Sequence, residues 1–320
     1  MWFVCAAVTM IAWGVADLFY KKGADENDHF SHIKTSMIVG FIMGGHAIGT
    51  LLITGIDYDP VNLVKYLPVS FMYILSMTIG YFGLRYLELS ISSPIQNSSG
   101  AVTCLLCLVF LHKALDGISA FAVVIICVGI FFLGLLEHRA VTNARRIQGS
   151  DVDDRRYRIG LVAFFMPILY CIIDALGTFF DAWYLDDIDT TPLVGVTEDT
   201  LETVANVSYE LTFLICGVII LIFLLVKRSV SKDTSPVSSD RTLTLSRILA
   251  AVFETAGQAT YVYAMSGNGA VAAPMVASFS IVSLILSRIF LKERLTKLQY
   301  AAVTAVMIGI AMLGLEEGLG

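Results

Sequence analysis

Four residues in one apolar stretch combine groups that could bind a polar molecule or exchange a proton. Glu254 is followed by Gly257, Gln258 and Tyr261, and in a helix these four residues lie on one face. An ionisable side chain inside a bilayer costs about 2.5–3.5 kcal/mol and usually faces a partner or a water-filled cavity. We therefore predict that Glu254 binds a substrate or a proton. The alternative is a glutamate that serves helix packing alone.

Two aspartates occupy matching positions in two other apolar stretches. Tyr170 and Asp174 repeat the spacing of Trp13 and Asp17 at an offset of 157 residues. Lys21 follows Asp17 by one helical turn and could pair with it at the membrane surface, whereas no basic residue follows Asp174 at that spacing. Asp174 is therefore the second predicted substrate-binding acid. Both aspartates join the glutamate as candidates for proton coupling.

Amide side chains mark a further stretch. Gln96 and Asn97 could orient a polar solute through uncharged hydrogen bonds, although polar and small residues at such positions also favour packing between helices. The predicted substrate-binding set is Glu254, Gln258, Tyr261, Asp174, Gln96 and Asn97. No residue is predicted to be catalytic or to bind a metal.

The composition places these groups in a membrane protein. The chain is 57% hydrophobic and 15% charged, whereas soluble domains are about 45–50% apolar and about 25% charged. Its apolar runs are long and continuous, which favours helices over the short alternating strands of a β-barrel. Ten runs come close to the roughly 20 residues of a spanning helix; they cover 2–20, 35–55, 67–86, 92–111, 118–136, 159–183, 207–226, 245–265, 270–291 and 298–315. The predicted fold class is an all-α integral membrane protein with ten transmembrane helices.

The second half of the chain repeats the first at an offset of 180 residues. The informative matches are Pro94 with Pro274, Gly129 with Gly309, Gly134 with Gly314 and Glu137 with Glu317. A five-span unit has an odd number of spans, so its copy must enter the membrane inverted, as is typical of secondary transporters. We predict a first five-helix repeat at 1–138, a cytoplasmic linker at 139–157 and a second five-helix repeat at 158–320.

Basic residues are concentrated in alternate loops. Of the 21 Lys and Arg residues, only Lys65 and Lys113 are assigned to the even-numbered loops. Cytoplasmic loops are enriched in Lys and Arg, so the odd-numbered loops are predicted to be cytoplasmic and both termini to lie outside. The predicted location is the plasma (inner) membrane.

Three short motifs resemble EamA-type members of the drug/metabolite transporter superfamily. They are Trp13-Gly14 in the first span, the turn at 291–295 (Leu-Lys-Glu-Arg-Leu) after the ninth, and Gly309 with Gly314 in the tenth. The resemblance implies a ten-span carrier with alternating access, whose cavity is lined mainly by spans 1, 3, 4, 6, 8 and 9. There are two departures: residues 111–115 (Leu-His-Lys-Ala-Leu) replace a Glu-Arg turn, and the family usually places its termini in the cytoplasm.

These features predict a secondary transporter that moves a small polar or amphipathic metabolite. Proton coupling is a further hypothesis. We do not expect the protein to be an enzyme. The alternatives are a lipid-carrier flippase, a membrane-embedded enzyme or a sensor without flux. The sequence contains no phosphate-binding loop, dinucleotide glycine motif or HExxH motif. We expect no cofactor and no nucleic-acid partner; the expected partners are the metabolite and the lipid bilayer. The substrate, the transport direction and the oligomeric state are left open.

Overall fold

The computed structural model describes residues 1–25, 28–86, 98–113, 115–148, 160–230, 240–291 and 296–319. Within these ranges the chain folds into helices joined by turns. They are α1 (Trp2–Gly23), α2 (Ser31–Thr54), α3 (Val61–Lys65), α4 (Leu67–Tyr86), α5 (Ser99–Phe110), α6 (Gly117–Gln148), α7 (Gly160–Tyr184), α8 (Leu201–Val230), α9 (Arg241–Ala277), α10 (Phe279–Leu291) and α11 (Lys297–Leu319). The prediction of an all-α fold with several apolar helices is confirmed.

The helices suit a bilayer in length and in the character of their outer faces. Among the described residues, four segments are long and apolar enough to cross a membrane: Trp2–Gly23, Ser31–Thr54, Leu201–Arg228 and Arg241–Leu286. Shorter apolar helices include Leu67–Phe82 and Gly117–Phe132. Large apolar side chains point outward from these helices, and Leu105, for example, is 62% exposed. Such exposure is unfavourable in water but is what a lipid-facing surface requires.

Predicted spans eight and nine meet inside α9, at a break in the helix. Asn268 has an extended backbone (φ −163°, ψ 74°) and is flanked by Gly267 and Gly269. A Cβ atom on Gly267 would lie 2.4 Å from the Cβ of Trp2, and one on Gly269 would lie 2.8 Å from the Cβ of Ala182. Both positions therefore need glycine, because neighbouring helices approach the turn too closely for a side chain.

Four helix pairs form most of the bundle. α1 packs along α9, α4 along α7, α2 along α8, and α6 along α11. α5 joins the bundle through α7 and α9, and α10 through α1. The α6–α11 pair lies at the side, and α1, α4, α5, α7, α8, α9 and α10 surround the interior.

Polar contacts tie α1, α2 and α9 together at one end of the bundle. Arg247 of α9 is buried; its Nε donates a hydrogen bond to the backbone oxygen of Gly23 (2.9 Å) and its Nη2 donates to Oγ of Ser31 (3.0 Å). Nearby, Nζ of Lys34 donates to Oδ2 of Asp28 at 2.7 Å. The end of α1 is thus held to the starts of α2 and α9.

Asp28, which precedes α2, is expected to stabilise the fold in a pH-dependent way. Burial acts to raise the pKa of its carboxyl, but hydrogen bonds from Lys34 and from the backbone N–H of Phe30 outweigh burial and hold the pKa below its usual 3.8. A lowered pKa in the folded state means that the contribution is complete above about pH 4 and is lost as the pH falls through the folded-state pKa.

We therefore expect Asp28→Asn to lower the free energy of unfolding at pH 7 by about 0.2–1 kcal/mol, as found for partly exposed ion pairs. Melting curves of the detergent-solubilised protein should show the difference between wild type and variant shrinking as the pH is lowered from 7 to 3. A difference that stays constant over this range would contradict a role for the ionised carboxylate.

Candidate functional site

A cavity of about 120 Å³ lies within the bundle, large enough for on the order of ten water molecules. Its lining comes from seven helices, six of which contribute acidic or aromatic side chains. The acids are Asp17, Asp174 and Glu254, and the aromatic residues are Trp13, Tyr20, Tyr73, Tyr81, Tyr170, Tyr209, Tyr261 and Phe279. Among the described residues, no Lys, Arg or His lines it. Six of the lining helices belong to the spans that the family resemblance implies, namely 1, 3, 4, 6, 8 and 9. The seventh, α8, contributes Tyr209.

Glu254 is placed in the cavity by the contact between α9 and α1. It is 9% exposed. Nε1 of Trp13 donates a hydrogen bond to its backbone oxygen at 3.2 Å. A Cβ atom on Gly257 would lie only 2.4 Å from Cδ1 of Trp13, so the glycine makes room for the indole. The same indole lies 5.0 Å from the ring of Tyr261, centroid to centroid. The acid therefore sits beside an aromatic wall.

Asp174 of α7 lies among hydroxyl groups from two other helices. Oγ of Ser76 donates to its Oδ1 at 3.3 Å. Ser99 of α5 and Tyr170, one turn earlier in α7, also hydrogen-bond to the carboxyl group. These donors hold the side chain toward the cavity and leave it without a basic partner among the described lining residues.

Asp17 of α1 is held in a similar way. Oγ of Ser283 in α10 donates to its Oδ2 at 2.5 Å and lies 3.1 Å from the backbone oxygen of Gly14. Lys21, one turn further along α1, adds an electrostatic attraction. Each of the three acids thus belongs to a different helix, and hydroxyl groups of neighbouring helices hold both aspartates.

Hydrogen-bonded tyrosines separate the cavity from the end of the bundle that carries the loop at 185–200. The hydroxyls of Tyr73 and Tyr261 are 2.7 Å apart, and Tyr73 donates to Oγ1 of Thr178 at 2.8 Å. One layer further out, the hydroxyl of Tyr66 donates to the carboxyl of Asp181, whose side chain is buried. The cavity is closed by side chains on this side.

A second contact holds the loop itself over this closure. The side chain of Asn62 accepts a hydrogen bond from the backbone N–H of Val194 and donates one to its backbone oxygen, both at 2.9 Å. Lys113 pairs with Asp186 on the same loop. The closing layers therefore rest on polar contacts that can break and re-form.

The predicted site residues divide into three groups. Glu254, Tyr261, Asp174 and Asp17 all line the cavity. Gln258 is buried in α9 but does not line it, and its Nε2 has no hydrogen-bond partner among the described residues. At 3.6 residues per turn, Gln258 is rotated about 40° from Glu254 on the side away from Tyr261, which carries it past the edge of the cavity. Gln96 and Asn97 lie outside the described residues.

The sequence did not single out most of the tyrosines that line the cavity. Tyr261 was predicted, and Tyr81, which matches Tyr261 at the offset of 180, and Tyr170, which matches Trp13 at the offset of 157, carried a repeat signal. The other three, Tyr20, Tyr73 and Tyr209, carried none. A buried acid outside the cavity was also missed: Glu210 of α8 lies 2.8 Å from Nδ1 of His46 in α2. The position of Glu210 within an apolar run was the only feature of the sequence that could have indicated a buried acid.

An all-helical bundle with apolar outer faces and an internal cavity lined by three acids is an integral membrane protein. The profile of the EamA-like transporter family matches residues 1–135 and 205–315, and the chain belongs to this family. The resemblance predicted from short motifs is thereby confirmed. Members are membrane transporters of the drug/metabolite transporter superfamily. α7, with Asp174, lies between the two matched regions.

Comparison with solved structures supports the fold alone. One chain, described only as a crystal structure of a protein, superimposes with a TM-score of 0.68 over 98% of this chain and 96% of its own length. The two sequences are 9% identical, so nothing about substrate follows from the likeness. The comparison with curated proteins found no match.

Proposed function

We propose that the protein is a secondary transporter that moves a small polar or amphipathic metabolite across the membrane by alternating access. The observation that carries the proposal is the cavity with three acids inside a bundle whose outer faces are apolar. Polar groups in such a position are unfavourable unless they meet water or a solute. Tyrosines and loop contacts on one side give the cavity a closed end that could open.

The packing of the helices supports two inverted five-helix repeats with ten spans. Under the repeat, α1 corresponds to α7 and α4 to the first part of α9. The close pairs α1–α9 and α7–α4 are therefore equivalent. The contacts α10–α1 and α5–α7 are equivalent in the same way, and α2–α8 and α6–α11 each pair an element with its own copy. A pseudo-two-fold axis produces this pattern.

Reciprocal glycine contacts between α6 and α11 support the same axis. A Cβ atom on Gly129 would lie 2.3 Å from Cγ2 of Val306, and one on Gly309 would lie 2.8 Å from Cγ1 of Ile126. Both pairs are related by the offset of 180 residues, so each helix makes the same contact with the other. We propose repeats at 1–138 and 158–320, joined by the linker at 139–157.

The proposed orientation, with odd-numbered loops in the cytoplasm and termini outside, can be tested by cysteine labelling. Asp57, Thr197 and Asp240 are exposed and lie in the second, sixth and seventh loops. In intact cells, a membrane-impermeant maleimide should label Asp57→Cys and Thr197→Cys, and should label Asp240→Cys only after lysis. The reverse labelling pattern would show that the odd-numbered loops and not the termini lie outside, which is the opposite of the proposed orientation. Labelling of all three from one side would refute the ten-span arrangement.

Transport itself is tested with purified protein in liposomes. Metabolites that raise the melting temperature of the solubilised protein are chosen first, because a ligand that binds the folded state stabilises it. The proposal expects at least one of them to cross the membrane only in protein-containing liposomes. Scrambling of labelled lipid without solute flux would indicate a flippase, chemical turnover would indicate an enzyme, and binding without flux would indicate a sensor. Each of these three results would refute the proposal.

A further inference from the structure

The ionisable groups that line the cavity are all acidic among the described residues. Asp17, Asp174 and Glu254 place three carboxyl groups in its wall, and no basic side chain lines it among the described residues. In surroundings of low dielectric constant a cation is attracted to such a wall, and an anion would meet repulsion with no compensating charge. The acids come from α1, α7 and α9, so they approach a bound solute from three sides.

The aromatic rings complete a setting that suits an organic cation. The ring of Trp13 lies 5.0 Å from that of Tyr261 and 6.2 Å from that of Phe279, and the rings of Tyr20 and Tyr81 are 4.7 Å apart, all measured between centroids. The electron-rich faces of such rings attract ammonium groups, and aromatic cages are a recurrent means of binding quaternary amines. The same rings offer apolar contact to the body of the solute.

A buried tyrosine hydroxyl beside the carboxyl of Glu254 is placed to accept a hydrogen bond from a polar ligand. Tyr20 is 93% buried (7% exposed) and lines the cavity next to the carboxyl of Glu254. Its hydroxyl makes no hydrogen bond of normal geometry among the described residues, although the carboxyl of Glu254 and the hydroxyl of Tyr81 lie close by. A buried polar atom is normally hydrogen-bonded. Phenol oxygens accept hydrogen bonds from an N–H donor, which an ammonium ion supplies.

We propose that the substrate is a small organic cation, with an ammonium group held by Glu254, Asp174 and Asp17 and an apolar or aromatic body held by the ring wall. This inference rests on the transport function proposed above and narrows its substrate. The acids supply the charge, the rings supply both cation–π contact and apolar surface, and the phenol oxygens of Tyr20 and Tyr81 accept hydrogen bonds from the ammonium group.

Isosteric probes separate charge from shape. Phenethylamine, 2-phenylethanol and 3-phenylpropionate share a phenyl ring on a two-carbon chain and are cationic, neutral and anionic at pH 7. Binding to the full-length protein in detergent is measured by isothermal titration calorimetry. We expect phenethylamine to bind at least tenfold more tightly than the alcohol, and the carboxylate not to bind. Equal binding of amine and alcohol, tighter binding of the carboxylate, or failure of the amine to bind folded protein would overturn the inference.

The quaternary analogue phenethyltrimethylammonium shows whether the site recognises the N–H donors of an ammonium group or its charge alone. It has no N–H donor, so binding as tight as that of the primary amine would indicate recognition by charge and rings. Weaker binding than the amine, but tighter than the alcohol, would indicate that the phenol oxygens contribute hydrogen bonds. Either result supports a cationic substrate. Binding no tighter than that of the alcohol would count against recognition of charge.

Variants locate the site. Glu254→Gln and Asp174→Asn should each weaken phenethylamine binding at least tenfold. Glu210→Gln is the matched control, because Glu210 is a buried carboxyl that lies outside the cavity. Unchanged binding in both cavity variants would overturn the inference. If a variant does not fold, the comparison of the three probes on the wild-type protein still decides whether the cavity prefers a cation. If a neutral or anionic solute, and no cation, crossed the membrane of protein-containing liposomes, the proposal of transport would stand and the inference of a cationic substrate would be refuted.

Discussion

Liposomes containing Glu254→Gln are expected to lose gradient-driven accumulation of substrate while keeping exchange of substrate across the membrane. Glutamine has almost the shape of glutamate and can still hydrogen-bond, but it cannot release a proton. Glu254 lines the cavity beside Trp13 and Tyr20, where a solute and a proton would compete for the same carboxyl. A carrier that couples through this group would still bind and reorient in the variant, but could no longer use the proton gradient.

The measurement compares two assays on the same liposomes. Accumulation is followed after a pH gradient is imposed, and exchange is followed by counterflow at saturating substrate, so that a weaker affinity does not mimic a loss of exchange. We expect accumulation in the variant to fall to passive equilibration, with exchange within a few-fold of wild type. Unchanged accumulation would reject the coupling role of Glu254.

Three further variants assign the effect to individual acids. Asp174→Asn and Asp17→Asn test the other two candidates for proton coupling in the same pair of assays. Glu210→Gln removes a buried carboxyl that lies against His46, away from the cavity, and should leave both assays unchanged. If Glu210→Gln also abolished accumulation, the loss would reflect a general effect of removing a buried acid.

The helices could be predicted because a bilayer leaves an apolar chain little choice. A backbone in hydrocarbon must satisfy its own hydrogen bonds, so a run of about 20 apolar residues forms a helix. The predicted span at 67–86 coincides with Leu67–Tyr86. The end of α6 could not be found in this way. It continues to Gln148, past the predicted end at 136, through charged residues that carry no apolar signal.

The acids of the candidate site could be predicted for a related reason, and its tyrosines could not. A carboxyl in an apolar helix is costly, so Glu254, Asp174 and Asp17 stand out from the sequence alone. A tyrosine in the same helix costs little, because its ring is apolar. Whether Tyr73 or Tyr209 lines the cavity depends on how α4 and α8 rotate against their neighbours, which is decided by packing.

The contact between α2 and α8 yields the largest expected effect on stability, through Gly40→Ala. A Cβ atom on Gly40 would lie 2.3 Å from the backbone oxygen of Phe213 and 3.1 Å from Cα of Gly217. A side-chain obstacle could rotate away, but these atoms belong to the backbone of α8, so the two helices would have to separate. Overpacking of this kind typically costs about 1–3 kcal/mol. We expect the melting temperature of the solubilised protein to fall by several degrees.

Gly45→Ala is the matched control, because it adds the same methyl group to the same helix. A Cβ atom on Gly45 would meet no atom within 4 Å, and alanine favours a helix over glycine by about 1 kcal/mol. This variant should therefore melt at or above the temperature of wild type. The difference between the two variants isolates the contact with α8, since helix propensity contributes equally to both. If Gly40→Ala melted at the same temperature as Gly45→Ala, close packing of α2 on α8 would not stabilise the bundle.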